Sequence, residues 1–193
     1  MADGYDSMDD PYAYKGSSTL KNKIGLRNSA ELESFELEMT ALRAQEALPS
    51  GNLDARHYTR IHRHIFQDVY AWAGKYRTVL TSKGGNPFCY PDYIDREMDK
   101  LFATIGRTIQ AKDENQFFTE AARFLGELNA IHPFREGNGR AQLAFMSLVS
   151  QRSQFPLDFS LVRRETFLPA MVASYSGDLG PLIAELRSLR KPT

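Results

Sequence analysis

The sequence has a single cysteine, Cys89, in 193 residues, which excludes an internal disulfide and suits a reducing compartment. Cys89 has no basic neighbour and no helix start beside it, so it reads as a neutral structural residue rather than a nucleophile. Net charge is missing too: Lys plus Arg and Asp plus Glu each total 24. That balance gives no basis for direct nucleic-acid binding or for attraction to an anionic membrane surface. No apolar run approaches membrane-spanning length, and the opening MADGYDSMDD is acidic and polar rather than signal-like, so the cytoplasm is the expected location. The chain also lacks an internal repeat and a second-domain boundary. SKGG at 82–85 lacks the GxxxxGK[ST] spacing of a phosphate-binding loop.

With 42% hydrophobic and 25% charged residues, the composition is that of an ordinary globular chain able to bury a substantial core. Residues 1–18, acidic and then Gly/Ser-rich, read as a flexible N-terminal arm, and residues 19–193 as one domain. The spacing of apolar residues predicts an all-α bundle. A first helix, capped by Asn28 or Ser29, puts Leu32, Phe35, Met39 and Leu42 on one face. A second, capped by Asp54, runs to Gly74 through Tyr58, Ile61, Ile65, Val69 and Trp72. A third starts near Tyr93 and continues to Ile109, and a fourth starts near Asn115 and stops at His132, before Pro133. Two more helices close the bundle near the C-terminus. Between the second and third, YRTVLTSKGGNPFCY reads as a short hairpin turning at residues 84–87. His57 and His64 are seven apart and could share a helix face. No cysteine or paired acid completes a metal site there, and surface or partly buried roles are expected for them.

The stretch His132 to Arg140, HPFREGNGR, gathers a base, a carboxylate, two glycines, an amide and cations into nine residues. The glycines sit where a loop enters a helix. Free backbone N–H groups at such a start, with Gly letting a ligand approach closely, form an anion site suited to phosphates. Arg140 on the first turn can fork onto a phosphate oxygen. Glu136 is a poor lone neighbour for an anion but a good holder of Mg²⁺ that the phosphates also bind. His132, with an ordinary pKa of about 6.5, can accept a proton at neutral pH. Phe134 would anchor the loop in the core. Together these point to a hydroxyl, activated by His132, attacking a metal-bound phosphate.

This stretch resembles the signature of the Fic family, HxFx[D/E]GNGRxxR, and matches it at His132, Phe134, Glu136, Gly137, Asn138, Gly139 and Arg140. Leu143 stands where the family has its second arginine. The similarity to bacterial Fic toxins extends from YAYKGSSTLKNKIGLRN at residues 12–28 to SYSGDLGPLIAELRSL near the end. It implies a Fic-fold helical bundle with one short β-hairpin flap. It also implies transfer of AMP from ATP to a Ser, Thr or Tyr hydroxyl of a target protein, with His132 as base. Arg135, Glu136, Gly137, Asn138, Gly139 and Arg140 would bind the nucleotide, Glu136 would hold Mg²⁺, and Thr81, Ser82, Lys83, Gly84 and Phe88 would form the flap that holds the target by strand pairing. Two alternatives remain open: a Fic-like transferase of another nucleotide or phosphate group, as in Doc-type relatives, and a nucleotide-binding module without turnover. The Glu and GNGR favour AMP transfer over the Doc chemistry.

Fic proteins are often restrained by a helix carrying [S/T]xxxE[G/N]. The nearest match, SAELES at 29–34, ends in Ser and reads as an ordinary amphipathic helix start. The resemblance therefore implies the toxin half of a toxin–antitoxin pair, restrained by a small helical antitoxin, with the ATPase subunits of DNA gyrase or topoisomerase IV as first candidate targets. Leucine at 143 cannot reach the outer phosphates, so a weakened transferase is expected.

Overall fold

The computed structural model describes residues 10–83 and 85–190. Along the chain run α1 (Ser29–Ala44), α2 (Ala55–Phe66), β1 (Ser82–Lys83), β2 (Asn86–Pro87), α3 (Ile94–Phe102), α4 (Ile105–Ile109), α5 (Glu114–Ile131), α6 (Asn138–Arg152), α7 (Arg164–Tyr175) and α8 (Gly180–Ser188). The expected all-α bundle with one short hairpin is therefore what the chain forms. Side-chain caps start the helices that carry the site: Asn28 accepts from the N–H groups of Ala30 and Glu31, Asp54 from His57 and Asp113 from Gln116.

α5 lies at the centre, packed by α3, α4, α6, α7 and α8. Phe117, Phe118, Ala121, Ala122, Phe124, Leu125 and Leu128 are all buried on it, so it is covered around most of its circumference and not along one stripe. An aromatic cluster joins it to α2, α3 and α6, with the Phe145 ring 5.5 Å from Tyr58, 5.2 Å from Phe102 and 5.9 Å from Phe124. Full burial of each such ring contributes about 1.5–3 kcal/mol relative to exposure.

Several boundaries differ from expectation. α2 ends at Phe66, not Gly74, and the chain then turns back so that Gly74, at φ 80°, donates its N–H to Nδ1 of His62. The long third helix breaks into α3 and α4 where the Thr104 hydroxyl donates to the Leu101 carbonyl and competes with the helical ladder. Asn86 and Pro87 belong to β2 and not to the turn, with Ser82 opposite Pro87 and Lys83 opposite Asn86. Residues 10–18, expected within the flexible arm, are tied down. Ala13 bridges Leu20, the Tyr12 ring stands edge-on to Trp72, and Asp10 forms a buried ion pair with Arg135. No helix among the described residues is long and apolar enough to cross a membrane.

His62 fastens α2 to the loop before α6. Its ring is fully buried, stacked 3.7 Å from Phe134 and 4.7 Å from Phe66. Because Nδ1 accepts from Gly74, Nε2 carries the proton and donates to the Glu136 carbonyl at 2.9 Å. Burial, helped by the Arg140 charge, pushes its pKa down to about 3. The unfolded chain binds this proton below about 6.5 and the folded chain does not, so the stability conferred by neutral His62 is intact above 6.5 and is lost as pH falls from there towards 3. Chemical denaturation of the parent should therefore show stability dropping between pH 7 and pH 5 at a rate approaching about 1.4 kcal/mol per pH unit. In His62→Gln that component should be missing from the pH dependence, whatever the variant's stability at pH 7.

Candidate active site

His132 ends α5 in the left-handed region, at φ 48° and ψ 61°, with its N–H still donating to Leu128 at 3.1 Å. This is the usual place for a helix-terminating glycine. A histidine there directs its ring out of the helix, and the ring stacks on Phe88 at 3.9 Å with an interplanar angle of 11°. Pro133 then prevents the helix from continuing.

The loop that follows closes on itself. Phe134 donates its N–H to Oδ1 of Asn138 at 2.9 Å, and Nδ2 of Asn138 returns a bond to the Phe134 carbonyl at 2.7 Å. Phe134 is fully buried, as expected of an anchor. Asn138 is buried as well, and its side chain staples the loop. Gly137 caps α6 at φ 82°, and a Cβ there would lie 2.2 Å from the Phe66 ring. Gly139, two residues on, is exposed, and a Cβ added to it would meet nothing within 4 Å. The two glycines thus answer different demands. Gly137 is required by backbone and packing, whereas the protein itself does not require Gly139 to lack a side chain. The first N–H groups of α6 have no intrahelical acceptors, and they open beside that bare position.

Around this helix start the charges are arranged asymmetrically. Oε1 of Glu136 accepts from the Gly137 N–H at 2.8 Å and lies 3.8 Å from Nη2 of Arg140. Arg140 is paired with Glu36 of α1, bonds Thr40 at 3.3 Å and lies over the Phe66 ring at 4.6 Å. Glu36 also accepts from the Tyr70 hydroxyl. Two carboxylates therefore share one guanidinium. Burial first, and then the charge of Glu36, push the pKa of Glu136 up, so a cation arriving there would relieve an existing penalty.

Other expected residues fall differently. The Arg135 guanidinium, expected to meet nucleotide, is engaged by Asp10 at 2.6 Å, with both side chains under one-tenth exposed, so it ties the N-terminal segment to the loop. Of the flap residues, Thr81 is buried and its carbonyl accepts from Phe88, while Ser82 and Lys83 are half-buried in β1. Phe88 is buried against His132, not presented outward, and Gly84 lies outside the described residues. The hairpin is nonetheless adjacent to the histidine. His57 and His64 do not come together: the ring nitrogens of His57 serve Pro49 and Leu53, and Nε2 of His64 meets the Arg43 carbonyl. Leu143 is half-buried and packs against the core.

Glu36, Tyr70, His62, Asp10 and the buried Arg77 were not anticipated. Only Glu36 carried a local signal. Leu32, Glu36, Thr40 and Arg43 recur at helical spacing, so a polar stripe continues the buried face of α1.

The Fic/DOC family model matches residues 52–150. A probable protein adenylyltransferase of Sinorhizobium fredii is 48% identical over 188 residues, spanning 96% of this chain and 98% of its own. The probable protein adenylyltransferase Fic of Escherichia coli is 32% identical, spanning 94% and 92%. Among solved structures, the BepC protein of Bartonella tribocorum with bound AMPPNP superposes with a TM-score of 0.84 at 27% identity, over 96% of this chain and 99% of that one. The ADP-bound N-terminal Fic domain of a putative cell filamentation protein of Bartonella quintana gives 0.84 at 30% identity, over 97% of each. The family model spans α2, α5 and nearly all of α6, and the relatives match over almost the whole length; this chain is a member of the Fic/DOC family.

Proposed function

We propose that the chain is a protein adenylyltransferase, moving AMP from ATP to a hydroxyl of a target protein. The observation that carries this reading is the start of α6: donor N–H groups beside the open Gly139, flanked by Arg140 and Glu136 and reached from α5 by His132. His132 takes the proton of the target hydroxyl, whose oxygen forms a bond to the α-phosphorus as the bond to pyrophosphate breaks. The amides at residues 138–140 and Arg140 hold the phosphates. The Asn138 side chain shapes this cradle by bonding both backbone groups of Phe134. Such a reaction depends on positioning and on electrostatic stabilisation more than on new covalent chemistry.

Glu136 fits Mg²⁺. It is a single, largely buried carboxylate that already carries the cost of a second carboxylate nearby. Among the described residues no group of three or more His, Cys, Asp and Glu forms a metal cage, so the ion's other ligands would be phosphate and water. Bound there, Mg²⁺ supplies positive charge to the phosphates.

The finer reading is the toxin of a pair held in check by a small helical antitoxin in the cytoplasm, acting on the ATPase subunits of gyrase or topoisomerase IV. It is supported by Glu33, the acid of the imperfect SAELES match, which is exposed on α1 and has no Gly or Asn after it. Incubating the protein with α- or γ-labelled ATP and a lysate tests both levels. We expect α-label on protein bands at the masses of those subunits, lost in His132→Ala while that variant keeps the parent's melting temperature. γ-Label would mean phosphorylation, and no label would favour a binder. A helical protein of low mass should co-purify from native cells; its absence would count against the toxin reading.

Gly139→Ala should melt at or slightly above the parent temperature, since alanine is the better helix former by about 1 kcal/mol, yet should weaken ATP binding measured by calorimetry. Gly137→Ala should lose stability outright, because its φ and its approach to Phe66 exclude a Cβ. Leu143→Arg should restore a charge-assisted bond of about 1.5–3 kcal/mol, or roughly ten- to 150-fold in AMP-transfer kcat/KM. No gain across ATP concentrations would show that the pocket is built around leucine.

A further inference from the structure

Arg77 lies between α2 and the hairpin, is only 2% exposed, and is among the largest side chains fully enclosed in the protein. Its guanidinium is aimed at backbone. Nε donates to the His132 carbonyl at 2.8 Å, Nη1 to Val79 at 2.7 Å, and Nη2 to Cys89 at 2.5 Å and to Ile131 at 3.2 Å. Its own N–H donates to the Pro133 carbonyl at 2.8 Å. These acceptors fall into two groups. Ile131, His132 and Pro133 form the end of α5, where carbonyls lack helical partners and carry the negative end of the helix dipole. Val79 and Cys89 are the two feet of the hairpin.

We infer that Arg77 is a positioning residue that locks the hairpin to the histidine, so that the segment holding the target and the base that activates it form one rigid unit. This inference rests on the reading of His132 as the base. Two further contacts follow the same line. The Cys89 N–H donates to Ala130 at 3.2 Å, and Phe88, one residue before that foot, stacks on the His132 ring. A residue other than glycine in the left-handed region is uncommon. Here its carbonyl direction is fixed by Nε of Arg77 and its ring by Phe88. A planar fork of donors can serve both groups of carbonyls at once. A lysine ammonium, as a point charge on a flexible stem, can serve one or two but cannot span the set.

The test is Arg77→Lys, with Arg77→Gln beside it, in the full chain. In folded Arg77→Lys, ATP binding by calorimetry should stay within twofold of the parent, because the α6 start is not touched. The kcat for AMP transfer should fall tenfold or more, and amide deuterium exchange across residues 79–89 should quicken at least tenfold while α5 upstream of Leu128 is unchanged. Arg77→Gln should go further in the same direction. Parental kcat and parental hairpin exchange in Arg77→Lys would overturn the inference. If neither variant folds, native-state exchange of the parent decides: the amides of Arg77, Phe88, Cys89 and His132 should open together with one denaturant dependence, and separate opening would overturn the coupling. His132→Ala separates this outcome from failure of the underlying reading. If His132→Ala still transfers AMP, the base is wrong; if it is silent while Arg77→Lys is parental, only the role given to Arg77 is lost.

Discussion

The site depends on one backbone conformation, the left-handed turn at His132. A helix that ended in an ordinary fashion would send its last side chain along the helix surface. By turning at φ 48°, α5 offers the imidazole beyond its end and starts the loop toward α6 in the same step. That conformation costs roughly 1–2 kcal/mol for a residue with a Cβ. It persists because it is over-determined: Pro133 follows, Phe88 covers the ring, and Arg77 holds the carbonyl. Strain of this kind is sustained at functional sites by the packing around it. Here the packing comes from α5, the hairpin and the aromatic layer under α2.

On the other side of the loop, the governing fact is a shortage of positive charge. Arg140 is shared by Glu36 and Glu136, and the second arginine of the signature is replaced by Leu143. In the proposed reaction, phosphate oxygens do not fill an idle cation. They take up a guanidinium that already serves Glu36, and its loss adds to the cost that Glu36 imposes on Glu136, which a cation arriving at Glu136 would offset. The Phe66 ring below both Arg140 and Gly137 keeps that guanidinium over the loop while its partners change.

Local chemistry was legible in the sequence where a feature has a near-neighbour cause. The caps at Asn28 and Asp54, the stop at Pro133, the buried Phe134 and the glycine-marked entry to α6 all depend on residues within a turn of one another. Legibility ended where a partner lies far along the chain. Nothing near His62 announces that it would be neutral and bonded to the carbonyl of Glu136, 74 positions away, and nothing near Arg135 points to Asp10. Periodicity alone overran Phe66 and joined α3 to α4, because the turn at Gly74 and the Thr104 hydroxyl stop helices without disturbing the apolar spacing. Glu36 was hidden by the premise that buried helix faces are apolar, which fails where the face lines a polar site. Within HPFREGNGR the residue types pointed to phosphate chemistry, but whether an amide or a guanidinium is spent on structure, as Asn138 and Arg135 are, depends on geometry.

The ion pair between Asp10 and Arg135 spans 125 positions, and it has a consequence for how the protein comes into being. Closing so long a loop carries an entropic cost that must be met before the contact stabilises anything. On the ribosome, the segment around residue 10 emerges before Arg135 and waits for it through the synthesis of 125 positions. The hairpin and His132 arrive in that interval, before the ion pair can form, and the helix that cradles the phosphates, Asn138–Arg152, follows Arg135. Completion of the centre is thereby a late event in biosynthesis, and the nascent chain carries the histidine before it carries an assembled site.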